Sequence, residues 1–321
     1  MPGLTLDVAV LVLGIMVLYF GADWLVRGSA RLAGSLGVSP MVVGLTVVSF
    51  GTSAPELVVG TVAAWGGNPD LAIGNVMGSN LANIGLILGL TSIVRPLDVQ
   101  SRVVWREMPI MFGITLLLYP LVWDLELTGS DGFILLLSLL GYLIFVFQSV
   151  GSETPSVVGE YEDFIKAAGD DQSHLHLSDV GLVVVGSAGL VLGGYCIVEG
   201  AVQVAAALGI SQVVIGLTVV AVGTSLPELA TSLVAAARRE SDIAVGNVIG
   251  SNIFNVAGIL GVASLVETIP IRPALLTEEL PVLLLVSLLL FPVLRSGWRI
   301  RRWEGAILVA AYAAAGIFLL R

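Results

Sequence analysis

Gly51-Thr52-Ser53-Ala54-Pro55-Glu56 recurs 172 residues later as Gly223-Thr224-Ser225-Leu226-Pro227-Glu228, each copy in the middle of an apolar span. The match extends both ways from there. Upstream, Gly44-Leu45-Thr46-Val47-Val48 returns as Gly216-Leu217-Thr218-Val219-Val220. Downstream, Gly74-Asn75-Val76-Met77-Gly78-Ser79-Asn80 returns as Gly246-Asn247-Val248-Ile249-Gly250-Ser251-Asn252, and Asn83 as Asn255. An ionisable group placed in lipid is expensive and is functional by default. Two of them, set equivalently by a duplication, point to one ion site built from both halves.

Composition supports a membrane setting. Of 321 residues 56% are hydrophobic and 12% charged, against roughly a quarter charged in soluble domains. The 38 glycines suit a bundle whose helices approach closely. Nothing in the net charge of −10 points to a nucleic-acid partner. The single cysteine, Cys196, excludes an internal disulfide and reads as a packing residue. No basic n-region precedes the first apolar run, so that run is expected to remain as a helix.

Stretches of about 20 apolar residues can cross a bilayer. Ten are expected, at 6–25, 40–65, 71–94, 105–124, 130–150, 178–199, 212–237, 242–266, 275–294 and 302–320. Gly21, Gly28 and Gly37 match Gly193, Gly200 and Gly209, while Glu107, Pro109 and Pro120 match Glu279, Pro281 and Pro292. Each half therefore holds five spans, and an odd number inserts the second copy upside down. The expected architecture is an all-α membrane protein of ten transmembrane helices in two inverted five-helix repeats. The first repeat covers 1–150, a polar linker 151–177, and the second repeat 178–321.

Basic residues collect on cytoplasmic loops. With both termini outside, the inward connections carry Arg27, Arg31, Arg95, Arg102, Arg106, Lys166, Arg238, Arg239, Arg295, Arg299, Arg301 and Arg302. Only Arg272 and Arg321 then lie outside. This places linker 151–177 in the cytoplasm. Its acids, Ser, Pro and the pair His174 and His176 read as a solvated tether rather than a metal-sensing loop.

Proline within a helix removes one backbone hydrogen bond and frees a carbonyl a turn back, near Gly51 for Pro55 and Gly223 for Pro227. In lipid such carbonyls must be satisfied, line a wet cavity or hold a cation. Glu56 and Glu228 follow directly. Asn75, Ser79 and Asn83 are spaced by four and share a helix face, as do Asn247, Ser251 and Asn255. Amide, hydroxyl and carboxylate oxygens suit Na⁺ and Ca²⁺, whereas soft metals want Cys or His. Gly74, Gly78, Gly246 and Gly250 are expected at close helix contacts. Asn80 and Asn252 fall off the shared face and read as caps or interhelical glue, and Thr46 and Thr218 as support around the site. Glu107 and Glu279 lie near span ends, where solvation is easy, and read as structural.

These residues resemble the two alpha-repeats of the sodium/calcium exchanger branch of the calcium/cation antiporter superfamily. The resemblance covers nearly the whole chain in organisation, and the paired Gly-Thr-Ser-x-Pro-Glu and Gly-Asn-x-x-Gly-Ser-Asn motifs are specific to it. It implies ten helices, inverted repeats and ion sites at the midplane. It further implies Glu56, Asn83, Glu228 and Asn255 as central ligands, with Ser53, Ser79, Ser225 and Ser251 acting through hydroxyls. Ser49, Thr52, Ala221 and Thr224 would contribute mainly backbone oxygens. Some prokaryotic relatives carry aspartate at the position of Asn255; the symmetric quartet here leaves the number of bound Na⁺ and any proton coupling open.

Two ionised glutamates balance one Ca²⁺ or two Na⁺, and an empty site with two bare carboxylates resists crossing the membrane. The expectation is an antiporter exchanging Na⁺ for Ca²⁺, with spans one and six as gating helices. It needs the bilayer but no cofactor and no obligatory protein partner. The rivals are a proton/calcium or K⁺-dependent antiporter, and a channel, which would pass ions without a counter-ion. An intramembrane enzyme lacks any Ser/His or Asp pair in a catalytic context.

Overall fold

The computed structural model describes residues 2–149, 177–207 and 223–319. The linker with His174 and His176, and the segment holding Thr218 and Ala221, lie outside the described residues. The helices are α1 Pro2–Leu36, α2 Pro40–Thr52, α3 Ala54–Trp65, α4 Pro69–Val94, α5 Met108–Leu121 and α6 Gly129–Gln148. They continue as α7 Leu177–Ala207, α8 Leu226–Ala237, α9 Ser241–Val266, α10 Leu275–Arg295 and α11 Arg302–Leu319.

Seven of the described helices are long and apolar enough to cross a membrane, or eight if α2 and α3 count as one bent span. Two expected spans are not among them. Over 105–124 the chain forms a π-helical turn, Val103–Glu107, followed by the 14-residue α5, while the matching turn Leu275–Glu279 opens the 21-residue α10. That at 212–237 is described only from Gly223 onward. At 1.5 Å per residue the 35-residue α1 is roughly 50 Å long, well beyond a hydrocarbon core of about 30 Å. Such a helix tilts or projects.

The duplication is carried into the backbone. Helices α3 and α8 each have 12 residues and begin just before the prolines of the paired motif. Helices α4 and α9 both widen into a π-helical turn at the same place, Asn83–Ile87 and Phe254–Ile259. Each of α6 and α11 starts at a self-made cap: the Asp131 carboxylate accepts from Thr128 N at 2.9 Å, and Glu304 from Arg301 N at 2.7 Å. Two short antiparallel strand pairs exchange partners between the halves. Leu97–Asp98 (β1) pairs with Arg299–Ile300 (β4), and Glu126–Leu127 (β2) with Ile269–Pro270 (β3). Leu97, Leu127, Ile269 and Ile300 are all buried there, pinning the loops.

Burial separates a core from a periphery. The apolar windows of α4 and α9 are 78% and 83% buried, whereas those of α1, α6, α7, α10 and α11 lie between 22% and 39%. The site motifs therefore occupy the inside of the bundle. On the outside, α1 and α7 pack along one another. A Cβ added at Gly14 would meet the Gly193 carbonyl at 3.0 Å, at Gly21 that of Gly186 at 2.9 Å, and at Gly28 that of Asp179 at 2.9 Å. Rising numbers meet falling ones, so the two helices are antiparallel. Gly250 is equally tight, since a Cβ there would meet Leu45 O at 2.5 Å. Gly74 and Gly78 differ from expectation: no described atom approaches a Cβ built on either within 4 Å.

Candidate ion-binding site

Between α2 and α3 the chain leaves the helix for one residue. Ser53 has φ −83° and ψ 7°, and the two helices bend by 48°. Pro55 does not kink a continuous helix; it stands in the first turn of a new one, where its missing N–H costs nothing. Glu56 follows in that first turn, facing a helix N-terminus whose free N–H groups favour an anion. Ser225 repeats the geometry with φ −90° and ψ 4°, ahead of Pro227 and Glu228.

Helices α4 and α9 hold these breaks in place. Asn75 Nδ2 donates to Glu56 O at 3.1 Å, and Asn247 Nδ2 donates to Glu228 O at 3.5 Å and to Ser232 Oγ at 3.3 Å. Thr52 Oγ1 donates to Asn247 Oδ1 at 3.0 Å, and Ser53 Oγ to Glu228 Oε1 at 3.1 Å. Both bonds cross from one half of the chain to the other. At the crossing of α4 and α9, Asn80 Nδ2 donates to Asn252 O at 3.1 Å, Asn255 Nδ2 to Asn80 Oδ1 at 3.0 Å, and Asn83 Nδ2 to Asn252 Oδ1 at 3.5 Å.

Glu56, Glu228, Asn83, Asn255, Ser53, Ser79, Ser225, Ser251, Ser49 and Thr52 are all buried, and Thr224 is half-buried. Six oxygens in this group are sealed from solvent and receive no hydrogen bond among the described residues. They are both carboxylate oxygens of Glu56, Glu228 Oε2, Asn83 Oδ1, Asn255 Oδ1 and Ser251 Oγ. A buried polar atom without a partner costs on the order of 1–3 kcal/mol, and a bare charge more. Oxygen-only donors with two carboxylates are the chemistry of a hard cation such as Na⁺ or Ca²⁺. No group of three or more His, Cys, Asp or Glu placed to hold a metal ion occurs among the described residues, so any ion here relies on the amide, hydroxyl and backbone oxygens beside the two carboxylates.

Several expectations need correction. The Ser49 hydroxyl is engaged by Leu45 O and Thr46 O, and its carbonyl already accepts from Ser53 N and Thr52 Oγ1. Thr46 bonds back to Val42 O at 2.7 Å, within its own helix. Glu107 is fully buried rather than solvated, because the π-helical turn tucks it inward beside Arg102, whose Nε donates to it at 3.1 Å. Asn80 and Asn252 do join α4 to α9 as interhelical glue, and they do so at the crossing of the two helices rather than as caps. Their recurrence in the repeat is the signal that marks them.

A family model described as "Sodium/calcium exchanger protein" matches residues 6–148 and 178–321. The chain is 39% identical to the putative antiporter CaxA of Alkalimonas amylolytica, over 93% of this chain and 94% of that one. It is 32% identical to the sodium/calcium exchanger MaX1 of Methanosarcina acetivorans, over 97% of each. Among solved structures, the sodium-calcium exchanger NCX_Mj soaked with Na⁺ and Ca²⁺ aligns with a TM-score of 0.81 at 35% identity, over 98% of both chains. A multi-pass bundle with this duplicated, oxygen-lined centre thus belongs to the sodium/calcium exchanger family.

Proposed function

We propose that the chain is an antiporter that exchanges Na⁺ for Ca²⁺ across the cell membrane by alternating access, extruding calcium with net movement of charge. The observation that carries this reading is the set of six buried oxygens without hydrogen-bond partners where the two helix breaks meet α4 and α9. Glu56, Asn83, Glu228 and Asn255 serve as central ligands, and the hydroxyls of Ser53, Ser79, Ser225 and Ser251 add to them. Backbone oxygens of Thr52, Ala221 and Thr224 complete the set. The two carboxylates balance one Ca²⁺ or two Na⁺, and the empty site is penalised by their uncompensated charge. Exchange is therefore favoured over one-way flux.

In this reading the chain has ten spans, five in 1–150 and five inverted in 178–321, joined by a cytoplasmic linker at 151–177. The antiparallel run of α1 against its repeat counterpart α7 and the exchanged strand pairs support inversion. The distribution of arginines supports external termini. The glycine seam between α1 and α7 has few projecting side chains, which suits the pair to slide as one body past the core.

Calcium uptake into proteoliposomes tests the reading, with Na⁺, K⁺ or pH gradients imposed one at a time. Uptake driven by an outward Na⁺ gradient is expected. Uptake driven by a pH gradient alone would make it a proton/calcium antiporter, dependence on K⁺ a three-ion exchanger, and uptake without any counter-ion a channel.

A further inference from the structure

An asparagine amide is nearly symmetric in shape, but only its oxygen can bind a cation; its NH₂ end repels one. A cation site that uses Asn83 and Asn255 must therefore fix which end faces inward. The hydrogen bonds around Asn80 settle the polarity from a backbone group outward. A carbonyl can only accept, so the 3.1 Å bond from Asn80 to Asn252 O fixes the Asn80 NH₂ on that side. Its Oδ1 then faces Asn255 and can only accept the Asn255 NH₂, at 3.0 Å. That leaves Asn255 Oδ1 buried, without a partner, and free for an ion. In the other half Asn252 Oδ1 accepts the Asn83 NH₂ at 3.5 Å and leaves Asn83 Oδ1 without a partner. Asn252 Nδ2 has no partner among the described residues either, so that amide is held by Asn83 alone and not by a backbone carbonyl.

We propose that Asn80 and Asn252 are positioning residues that orient the amides of Asn255 and Asn83, so that carbonyl oxygen and never NH₂ meets the transported cation. They need not touch the ion themselves. The inference rests on the ion-site reading above.

The test is a double-mutant square on the purified protein, read by equilibrium binding of ⁴⁵Ca²⁺ and its displacement by Na⁺. Aspartate presents oxygen at both ends and needs no orienting partner, so Asn255→Asp removes the requirement for Asn80 while leaving its packing role in place. Asn80→Ala is expected to weaken Ca²⁺ binding about tenfold or more beside Asn255, and less than about threefold in the Asn255→Asp background. Equal losses in both backgrounds would show that Asn80 acts only in packing, and would overturn the proposal. The square of Asn252→Ala with Asn83→Asp asks the same of the other half, and decides alone if Asn80→Ala yields no folded protein. Glu56→Gln and Glu228→Gln are measured beside them. Unchanged Ca²⁺ binding in both would remove the ion-site reading itself, whereas loss there with an additive square removes only the orienting role.

Discussion

The hydroxyl of Ser53 donates to the carboxylate of Glu228 at 3.1 Å, while neither carboxylate oxygen of Glu56 receives a hydrogen bond among the described residues. Sequence symmetry would have Ser225 do for Glu56 what Ser53 does for Glu228. The two halves thus prepare their glutamates differently. A hydrogen bond to a charged group contributes about 1.5–3 kcal/mol, so Ser53→Ala should weaken Ca²⁺ binding roughly tenfold. Ser225→Ala loses a proposed ligand hydroxyl but no such bond, and should cost less than Ser53→Ala. Titration calorimetry on the two variants checks this; equal losses would refute the asymmetry.

Glu56→Gln or Glu228→Gln is expected to abolish calcium exchange in a protein that still folds. In the proposed site each change removes one of the two charges that would balance Ca²⁺, and a neutral amide is cheaper to bury than a carboxylate. Thermal stability should hold or rise. A variant retaining more than about half the parent transport rate would take its glutamate out of the site.

Apolar runs and the duplicated hexapeptide made the bundle and both glutamates legible in the sequence, because glycine, proline and an intramembrane acid each act locally. Effects of helix crossing and of a change in helical pitch were not legible. Asn80 and Asn252 lie in regular α-helix ahead of the π-helical turns, and they reach the centre because α4 and α9 cross there. A π-helical turn buries Glu107, although its place near a span end implies solvation. The pairings of β1 with β4 and β2 with β3 join segments more than a hundred residues apart, and no local pattern of two residues announces such a strand.

Asp23 on α1 is buried and accepts from Arg27 at 2.9 Å and from Arg238 Nε, at the end of α8, at 2.6 Å. This ion pair ties a proposed gating helix to the helix that carries Glu228. Its arginines are partly exposed, so its net worth is on the order of 1 kcal/mol. Asp23→Asn should therefore speed amide exchange in α1 around Arg27 and change the rate of transport several-fold. Ca²⁺ affinity should move less than threefold, since no ligand is touched. Unaltered transport and amide exchange would show that the pair does not restrain α1.

Residues 154–174 should be removable without loss of basal transport. The segment has the composition of a solvated tether and no counterpart inside the repeat. A shortened protein that inserts normally yet fails to transport would assign a regulatory role to its acids and to His174.

Exchange should be electrogenic, with three Na⁺ moving against one Ca²⁺. Two Na⁺ would balance the two carboxylates, but the buried oxygens exceed what two small ions require. Four clusters related by the repeat, around Glu56, Asn83, Glu228 and Asn255, would share the ions in this reading, one of them a third Na⁺. The Na⁺-loaded protein then carries one positive charge more than the Ca²⁺-loaded one. Moving that charge across the membrane is worth roughly 2.3 kcal/mol per 100 mV. An inside-negative potential should therefore drive Na⁺ entry and calcium extrusion, and an inside-positive one should favour calcium entry. Proteoliposomes with potentials set by valinomycin and K⁺ gradients measure this directly. Calcium flux that ignores the imposed potential in both directions would make the exchange two-for-one and remove the third ion.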